Sequence, residues 1–306
     1  LSRLNFSISK PQKKYEYDFH NIFSEAKFLN LDLSLTINST NAAIQNFNNQ
    51  NNDQINLFSY ENKFINENQR GIGVNKKILI NNKTILLGYH DTRIQSENIV
   101  LDDNLQNLSL SMSGSNYFDN YTIISGILRE EDSLLGAKGN SAFSLDNSNN
   151  LSTYVGLNLD KQILENTYFK GVFFMGRSEI DDLNNNFIVG AKNIYSTNFG
   201  VQLNKYETFY SSDKLSLFIS QPHRIDQGIM KLKLPILASY NGEMNYLYKD
   251  ISLAPSGRQF DFGVDYTVLK NENTMFGIKG LFTKDINHVA SNKIETYISL
   301  SAKIRF

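Results

Sequence analysis

Apolar and polar residues alternate one by one through most of this chain, and this period of two is the strongest constraint on its fold. Successive side chains of a β-strand point to opposite faces, so the pattern predicts strands with one apolar face. The last segment is the clearest example. In residues 296–306 one face carries Ile298, Leu300, Ala302, Ile304 and Phe306, and the other carries Tyr297, Ser299, Ser301, Lys303 and Arg305. The same alternation recurs in Leu29–Ile37, Tyr195–Leu203 and Phe260–Val268.

Weaker alternation in the intervals brings the strand candidates to about 15, some of them halves of one strand or misreadings. The pattern at Phe19, Ile22, Phe23 and Ala26 has helical spacing and predicts one short helix. Clusters of Asn and Asp, such as Asn81–Asn82, mark the turns. No proline-rich tract or charge block divides the chain. We therefore expect one β domain of residues 29–306, with residues 1–28 as a separate lead-in.

A soluble sandwich, a solenoid and a membrane barrel can all be built from such strands. A solenoid needs a fixed repeat, which is not visible. No run of about 18 apolar residues occurs, so no transmembrane helix is expected. The mean hydropathy of −0.36 fits a soluble sandwich or a barrel, because only every second residue of a barrel faces lipid. Aromatic residues near strand ends on the apolar faces favour the barrel: Tyr195, Phe260, Tyr266 and Phe282. The opposite faces carry charges, predicted to face the lumen or its mouth: Asp261, Asp265, Lys231, Lys233, Lys279, Lys303 and Arg305.

The final strand decides between the barrel and the sandwich. It ends on Phe306, on the apolar face, without a polar tail. An exposed aromatic edge strand would promote aggregation of a soluble protein. In an outer-membrane barrel the last strand closes against the first, and its apolar face is an assembly signal. We therefore predict an antiparallel transmembrane β-barrel in the outer membrane of a Gram-negative bacterium. Its expected partners are outer-membrane lipid and the barrel-assembly machinery.

Composition excludes several other functions. The net charge of −1 argues against nucleic-acid binding. Cysteine is absent, so there is no thiolate nucleophile or Cys-ligated metal. The four histidines have neither zinc spacing nor a nucleophile-bearing turn beside them. We expect no catalytic, cofactor or metal site in this chain.

Three segments carry a family resemblance. They are Leu128–Glu131 with Leu134–Gly136 and the stretch to Phe143, Ser220–Pro222 with Arg224, Gly228 and Leu232–Pro235, and Leu253–Asp261. Together they resemble the C-terminal β-barrel domain of autotransporters, the type V secretion proteins, of the kind that follows subtilisin-like serine peptidase passengers. Gln259 and His223 depart from the usual Glu and Leu of that family.

The resemblance implies a translocator and anchor of about 12 strands, at most 14, that exports or displays its own N-terminal passenger. It also implies that residues 1–28 form a lumenal helix or linker ahead of the first strand. Any catalysis would belong to that passenger, so the barrel itself is expected not to be an enzyme. Arg258 and Asp261 would lie at the barrel mouth, either in an ion-pair ring or beside a hairpin whose geometry Pro255 and Gly257 fix. Two alternatives stay open: a porin or adhesin-type barrel without a passenger, and a chain that belongs to a serine peptidase through the passenger.

Overall fold

The computed structural model of this chain consists almost entirely of β-strands. It describes residues 3–8, 19–28, 31–39, 71–91, 105–137, 143–145, 148–181, 187–238, 240–271, 274–291 and 293–304. The strands in these residues are β1 (Arg3–Ile8), β2 (Phe19–Phe28), β3 (Leu31–Ser39), β4 (Gly71–Ile80), β5 (Lys83–Asp91), β6 (Leu105–Gly114), β7 (Asn120–Glu131), β8 (Asn149–Leu164), β9 (Thr167–Ile180), β10 (Ile188–Tyr206), β11 (Asp213–Ala238), β12 (Met244–Ser252), β13 (Phe260–Asn271), β14 (Thr274–Lys284) and β15 (Ile294–Ile304). The predicted all-β class is confirmed.

All strands belong to one antiparallel sheet, in which chain neighbours are also sheet neighbours. The order runs from β1 to β11 and continues through β13, β14 and β15. β12 lies off this path because the 26-residue β11 is long enough for two partners on one side. β13 pairs with Asp213–Ser220 of β11 and β12 pairs with Ile229–Ala238. Within the described residues, the end strands β1 and β15 do not pair with each other.

The connections have different lengths at the two ends of the sheet. At one end they are residues 29–30, 81–82, 115–119, 165–166, 207–212 and 272–273. At the other end the strands are separated by residues 9–18, 40–70, 92–104, 132–148, 181–187, 239–243 and 285–293, and residues 253–259 join β12 to β13 part-way along β11. Asn81 and Asn82 have φ of 46° and 62°, the pair of positive values that a two-residue type I′ hairpin requires. Outer-membrane barrels have short turns on the periplasmic side and longer loops outside. We name these the short-turn end and the long-loop end.

Burial along the strands is inverted relative to a water-soluble protein. On β8, Leu151 and Val155 are 51% and 40% exposed, whereas Ser152 and Asn158 are 0% and 4% exposed. The same inversion holds in the membrane-level parts of β6, β7 and β10. A sandwich would bury the apolar face instead, so the sandwich alternative does not fit. The apolar faces point outward, as a lipid-facing barrel requires.

Glycines on the inward face make room for aromatic rings of the neighbouring strand. Gly126, Gly156 and Gly263 are the direct cross-strand partners of Tyr154, Phe174 and Phe218 respectively. A Cβ added to Gly156 would lie 2.6 Å from Cδ1 and Cζ of Phe174. These rings therefore lie against the backbone of the next strand.

The predicted helix near the N-terminus is wrong. Phe19–Phe28 forms β2, and residues Ile22–Phe28 pair with β3. A ten-residue segment is short enough for its spacing to fit either structure, and pairing with a strongly alternating neighbour decides for the strand. β1 and β2 join the same sheet as the rest; a functional boundary between residues 28 and 29 stays a prediction. Among the described residues, no helix is long and apolar enough to cross a membrane.

Candidate functional site

The inward face of the sheet is lined at membrane level by small polar side chains. The amide of Asn204 accepts hydrogen bonds at Oδ1 from Gln202 Nε2 and from Ser216 Oγ, both at 2.7 Å. Tyr154 donates its hydroxyl to Asn107 Oδ1 at 3.0 Å. Other buried polar residues on this face include Ser109, Ser111, Thr122, Asn158, Ser178, Ser196, Asn198 and Ser220. A polar inward face of this kind is typical of the interior of an outer-membrane barrel.

Three of the predicted lumenal charges lie on this inward face. Asp265 and Lys279 are direct cross-strand partners on β13 and β14. Asp265 is buried and accepts a hydrogen bond from Thr267 Oγ1 at 2.8 Å. Asp261 accepts one from Thr283 Oγ1 at 2.7 Å. The structure thus brings Asp261, Asp265 and Lys279 to one side of the sheet, and their effect on passage through the lumen stays a prediction.

The connection between β7 and β8 packs into the lumen near the long-loop end. Its residues Leu134, Leu135 and Leu145 belong to one buried apolar cluster with inward-facing residues of the sheet. The sheet residues of that cluster include Ile124, Leu128, Phe174, Ile180, Ile194 and Leu232. The lumen therefore changes from polar at membrane level to apolar and filled near the long-loop end.

Glu130 anchors this connection. Glu130 is only 2% exposed. Its carboxylate accepts hydrogen bonds from the backbone N–H of Leu135 at 2.7 Å and from that of Gly136 at 2.8 Å. Ser133 Oγ donates a third at 3.4 Å. Charge-assisted bonds of this kind are stronger than neutral ones. The sequence motif contains both Glu130 and Leu134–Gly136, but the alternation does not show that the connection after β7 turns back over Glu130.

Arg224 holds the segment between β12 and β13. It donates from Nε to Gly257 O at 3.0 Å and from Nη2 to Pro255 O at 3.1 Å. Gly257 also passes close to the 285–293 connection, where an added Cβ would lie 2.5 Å from Ala290 N. The predicted hairpin at Pro255 and Gly257 is wrong, because β12 and β13 both pair with β11 and lie in line along it.

Arg258, a predicted mouth residue, lies in an ion-pair cluster on the outward face. It pairs with Asp226 and donates to Gln221, and Asp226 also accepts from Arg224 Nη1 at 2.7 Å. Thr197 donates to the same carboxylate at 2.5 Å and pairs with Arg224 in the sheet. Thr197 shares the face of β10 that carries the exposed Tyr195 and Val201. The cluster thus faces away from the lumen, whereas Asp261 faces into it.

His288, in the 285–293 connection, uses both ring nitrogens. Nδ1 accepts from the backbone N–H of Gln259 at 3.0 Å, so Nε2 is the nitrogen that donates to His223 O at 2.9 Å. Burial lowers the pKa of His288 below its usual value, and the nearby Arg224 and Arg258 lower it further, while the His223 carbonyl and Asp226 oppose them. The geometry requires the neutral ring.

The predicted assembly residues lie on β15. Ile298 and Leu300 are 69% and 78% exposed, and Ala302 is exposed as well. Lys303 and Ile304 belong to the strand, but their side chains lie outside the described part of the chain, as do Arg305 and Phe306 altogether. The assembly signal stays a prediction.

Lys231 and Lys233 do not share the lumenal face, contrary to the sequence-based expectation. Leu232 between them is buried in the apolar cluster, and Met230 and Leu234 pack against that cluster. The lysines therefore point outward. The reason is that this part of β11 lies near the long-loop end, where the lumen is filled with apolar side chains.

Comparisons with known proteins support the fold. No protein-family model matches the chain, and no curated protein matches it either. Among solved structures it is similar to OmpT of Vibrio cholerae, described as expressed in the outer membrane, with a TM-score of 0.56, 7% identity, and coverage of 98% of this chain and 82% of that one. It is also similar to a loop L8 deletion mutant of OmpT, an outer-membrane protein of the same organism, with a TM-score of 0.51, 8% identity, and coverage of 94% and 80%.

The chain thus has the fold of an outer-membrane β-barrel, and the predicted fold class and outer-membrane location agree with it.

The expectation that the chain is not an enzyme is corrected by the comparison with OmpT. That expectation placed all catalysis in an autotransporter passenger, but the structures sharing the fold are described as OmpT outer-membrane proteins, not as translocator domains. The ground that the family resemblance gave for excluding catalysis from the barrel is therefore removed. Among the described residues, no three His, Cys, Asp or Glu side chains are grouped so as to hold a metal ion.

Proposed function

We propose that this barrel is the translocator and membrane anchor of an autotransporter, which carries a passenger segment attached ahead of its first strand. The observation that carries the proposal is the convergence of the resembling segments at the long-loop end. Arg224 and Gln221 of one segment contact Pro255, Gly257 and Arg258 of another. Residues that resemble a family motif and contact one another in the fold support the resemblance better than isolated matches do.

The direction of the first strand supports the same proposal. Arg3 at the start of β1 pairs with Glu25, and Ile8 at its end pairs with Phe19. β2 runs from the long-loop end to the short residues 29–30, so β1 starts toward the short-turn end. A segment joined ahead of β1 therefore starts on the predicted periplasmic side. In this proposal its route to the outer surface is the lumen, which has polar groups at membrane level and an apolar cluster near the long-loop end.

The apolar cluster around Leu134 and Leu135 supplies the closure that such a pore needs. A barrel that stayed open after export would let small solutes leak. The β7–β8 connection is held by Glu130 and packs on inward-facing side chains, so it fills the lumen without blocking assembly of the sheet. In this proposal the connection moves aside for the passenger.

The test is surface display. An epitope-tagged segment is fused ahead of Leu1, the fusion is expressed in a Gram-negative host, and the tag is probed with protease on intact cells. We expect the tag to be accessible to the protease on intact cells. In the Leu300→Arg variant we expect the barrel to fail to assemble and the tag to become inaccessible. An assembled, heat-modifiable barrel whose tag stays in the periplasm would contradict the proposal. The barrel-assembly machinery is the proposed partner, through the outward face of β15 that carries Ile298 and Leu300.

A porin-type channel without a passenger is the second candidate, favoured by the polar membrane-level lining. Purified barrel in planar bilayers distinguishes the two. A steady ion conductance of the unmodified chain would favour the channel, whereas a closed barrel that opens when Glu130 is substituted would favour the translocator.

A further inference from the structure

The outward face of β9–β12 carries basic and aromatic side chains above the apolar membrane band. Val201 and Ile219 are partners within that band, and higher up Arg177 pairs with Tyr195, which pairs with Gln227. Beyond Gln227 the outward positions of β11 are Ile229, Lys231 and Lys233. We call the set Arg177, Tyr195, Lys231, Lys233, Tyr246 and Tyr248 the basic stripe.

Aromatic rings position the cations of this stripe. Lys233 Nζ lies 4.2 Å from the centroid of the Tyr246 ring, and Lys231 Nζ lies 5.2 Å from that of Tyr248. Cation–ring contacts of this length are attractive and leave the ammonium protons on the solvent side available. Asp250 is the cross-strand partner of Lys231, yet within the described residues neither lysine forms a salt bridge. Each ammonium group is therefore positioned by an aromatic ring and not by a direct ion pair with a carboxylate.

Arg177 is at the foot of the stripe. It pairs with Glu179, donates to Asn193 Oδ1 at 3.2 Å, and lies with its guanidinium 5.9 Å from the Tyr195 ring centroid. Tyrosine beside arginine is typical of the membrane–water interface. The stripe therefore begins at the interface and rises from it.

The height of the stripe indicates which kind of lipid it fits. Gln227 to Lys233 spans six residues, roughly 20 Å along the strand at about 3.3 Å each, or about 15 Å above the interface for a strand tilted 35–45°. The headgroup layer of one phospholipid leaflet is only about 5–8 Å thick. An anionic lipid that reaches Lys233 must carry its charges on a tall head, as a phosphorylated glycolipid does.

We propose that the basic stripe binds the phosphate groups of a glycolipid in the outer leaflet, with Arg177 and Tyr195 at the interface and Lys231 and Lys233 at the sugar head. Lysine is an effective point charge for phosphate, and the long-loop end faces the outer leaflet. The apolar band directly below, with Val201 and Ile219, receives the acyl chains. This site is independent of any passenger.

The test measures binding of purified lipopolysaccharide to the refolded full chain in detergent. The probe is used as isolated, after chemical removal of its phosphates, and in competition with phosphatidylglycerol. The double variant Lys231→Gln/Lys233→Gln is expected to bind on the order of 10- to 30-fold more weakly at low salt, with a smaller salt dependence. Lys231→Arg/Lys233→Arg, which keeps both charges, is expected to retain binding.

The chain provides a matched control. Lys161 Nζ lies 3.4 Å from the centroid of the Tyr117 ring at the short-turn end, so Lys161→Gln removes an equivalent pair from the opposite leaflet and is expected to leave binding unchanged. An equal loss in Lys161→Gln would overturn the proposal, as would undiminished binding of the dephosphorylated probe. Equal competition by phosphatidylglycerol would overturn the assignment to a glycolipid.

Discussion

The pairing of Gly156 with Phe174 allows a sharp test of the inward packing. The Phe174 ring lies over Gly156, its direct cross-strand partner, and the residue is 1% exposed. A Cβ at position 156 would lie 2.6 Å from two ring carbons, about 1 Å closer than carbon–carbon contact distance. Since the ring is enclosed, Gly156→Ala must shift backbone or ring. We expect a loss of about 1–3 kcal/mol, the usual cost of overpacking.

The double-mutant cycle separates this clash from a general effect of alanine in a strand. Phe174→Ala alone should cost about 3–5 kcal/mol. In the double variant the clash is gone, so Gly156→Ala should add almost nothing to the loss of stability caused by Phe174→Ala. The coupling energy between the two substitutions should therefore be about 1–3 kcal/mol. Gly280→Ala is the matched control, because a Cβ there meets nothing within 4 Å. The measurement is denaturant unfolding of the barrel refolded in detergent. A Gly156→Ala variant as stable as Gly280→Ala would refute the packing argument.

Three further predictions follow from the register, the lumenal connection and the loop histidine. Leu300→Arg should cost about 2–4 kcal/mol near the bilayer midplane, while Ser301→Arg on the opposite face should be tolerated in the same liposome-folding assay; equal losses would contradict the register. Glu130→Gln should weaken the anchor of the β7–β8 connection by about 1.5–3 kcal/mol and raise single-channel conductance, and an unchanged conductance would count against closure by that connection. Since the pKa of His288 is lowered, its contribution to stability is present above the unfolded-state value of about 6.5 and is lost as pH falls below it. Amide exchange at Gln259, corrected for the intrinsic rate, should therefore be faster at pH 5 than at pH 7.5, and equal protection would argue against the neutral ring.

The period of two was sufficient to predict the faces of the membrane-level strands, because strand alternation is a local property. Val264 and Leu300 are outward and Asp265 is inward, as their spacing predicts. What lay beyond the sequence depends on how the connections turn and on how far the strands extend. The Glu130 anchor requires the β7–β8 connection to turn inward. The alignment of β12 and β13 depends on the length of β11, which contains Pro222 and would ordinarily be divided there.

The charged face of β11 shows why alternation alone is ambiguous. Near the short-turn end, Leu217 and Ile219 are outward and apolar while Ser216 and Ser220 are buried. Two register shifts follow, one between Thr197 and Phe199 and one between Tyr195 and Ser196 on β10. Each shift places one extra residue on β11. Because two extra residues restore the alternation, the outward positions of β11 are odd-numbered both before and after the shifts. Beyond the shifts the odd positions carry Ile229, Lys231 and Lys233, and the even ones carry Met230, Leu232 and Leu234.

Apolar residues thus move from the outward to the inward face along a single strand. Lipid surrounds the lower part, so apolar side chains are stable outside and polar ones are kept inside. Water surrounds the upper part, where the ordinary rule of a soluble protein applies and apolar side chains fill the interior. The change of face between Ile219 and Met230 therefore marks where the strand leaves the membrane. A sequence pattern read without this change assigns the charges of the upper part to the lumen, which is the error made for Lys231 and Lys233.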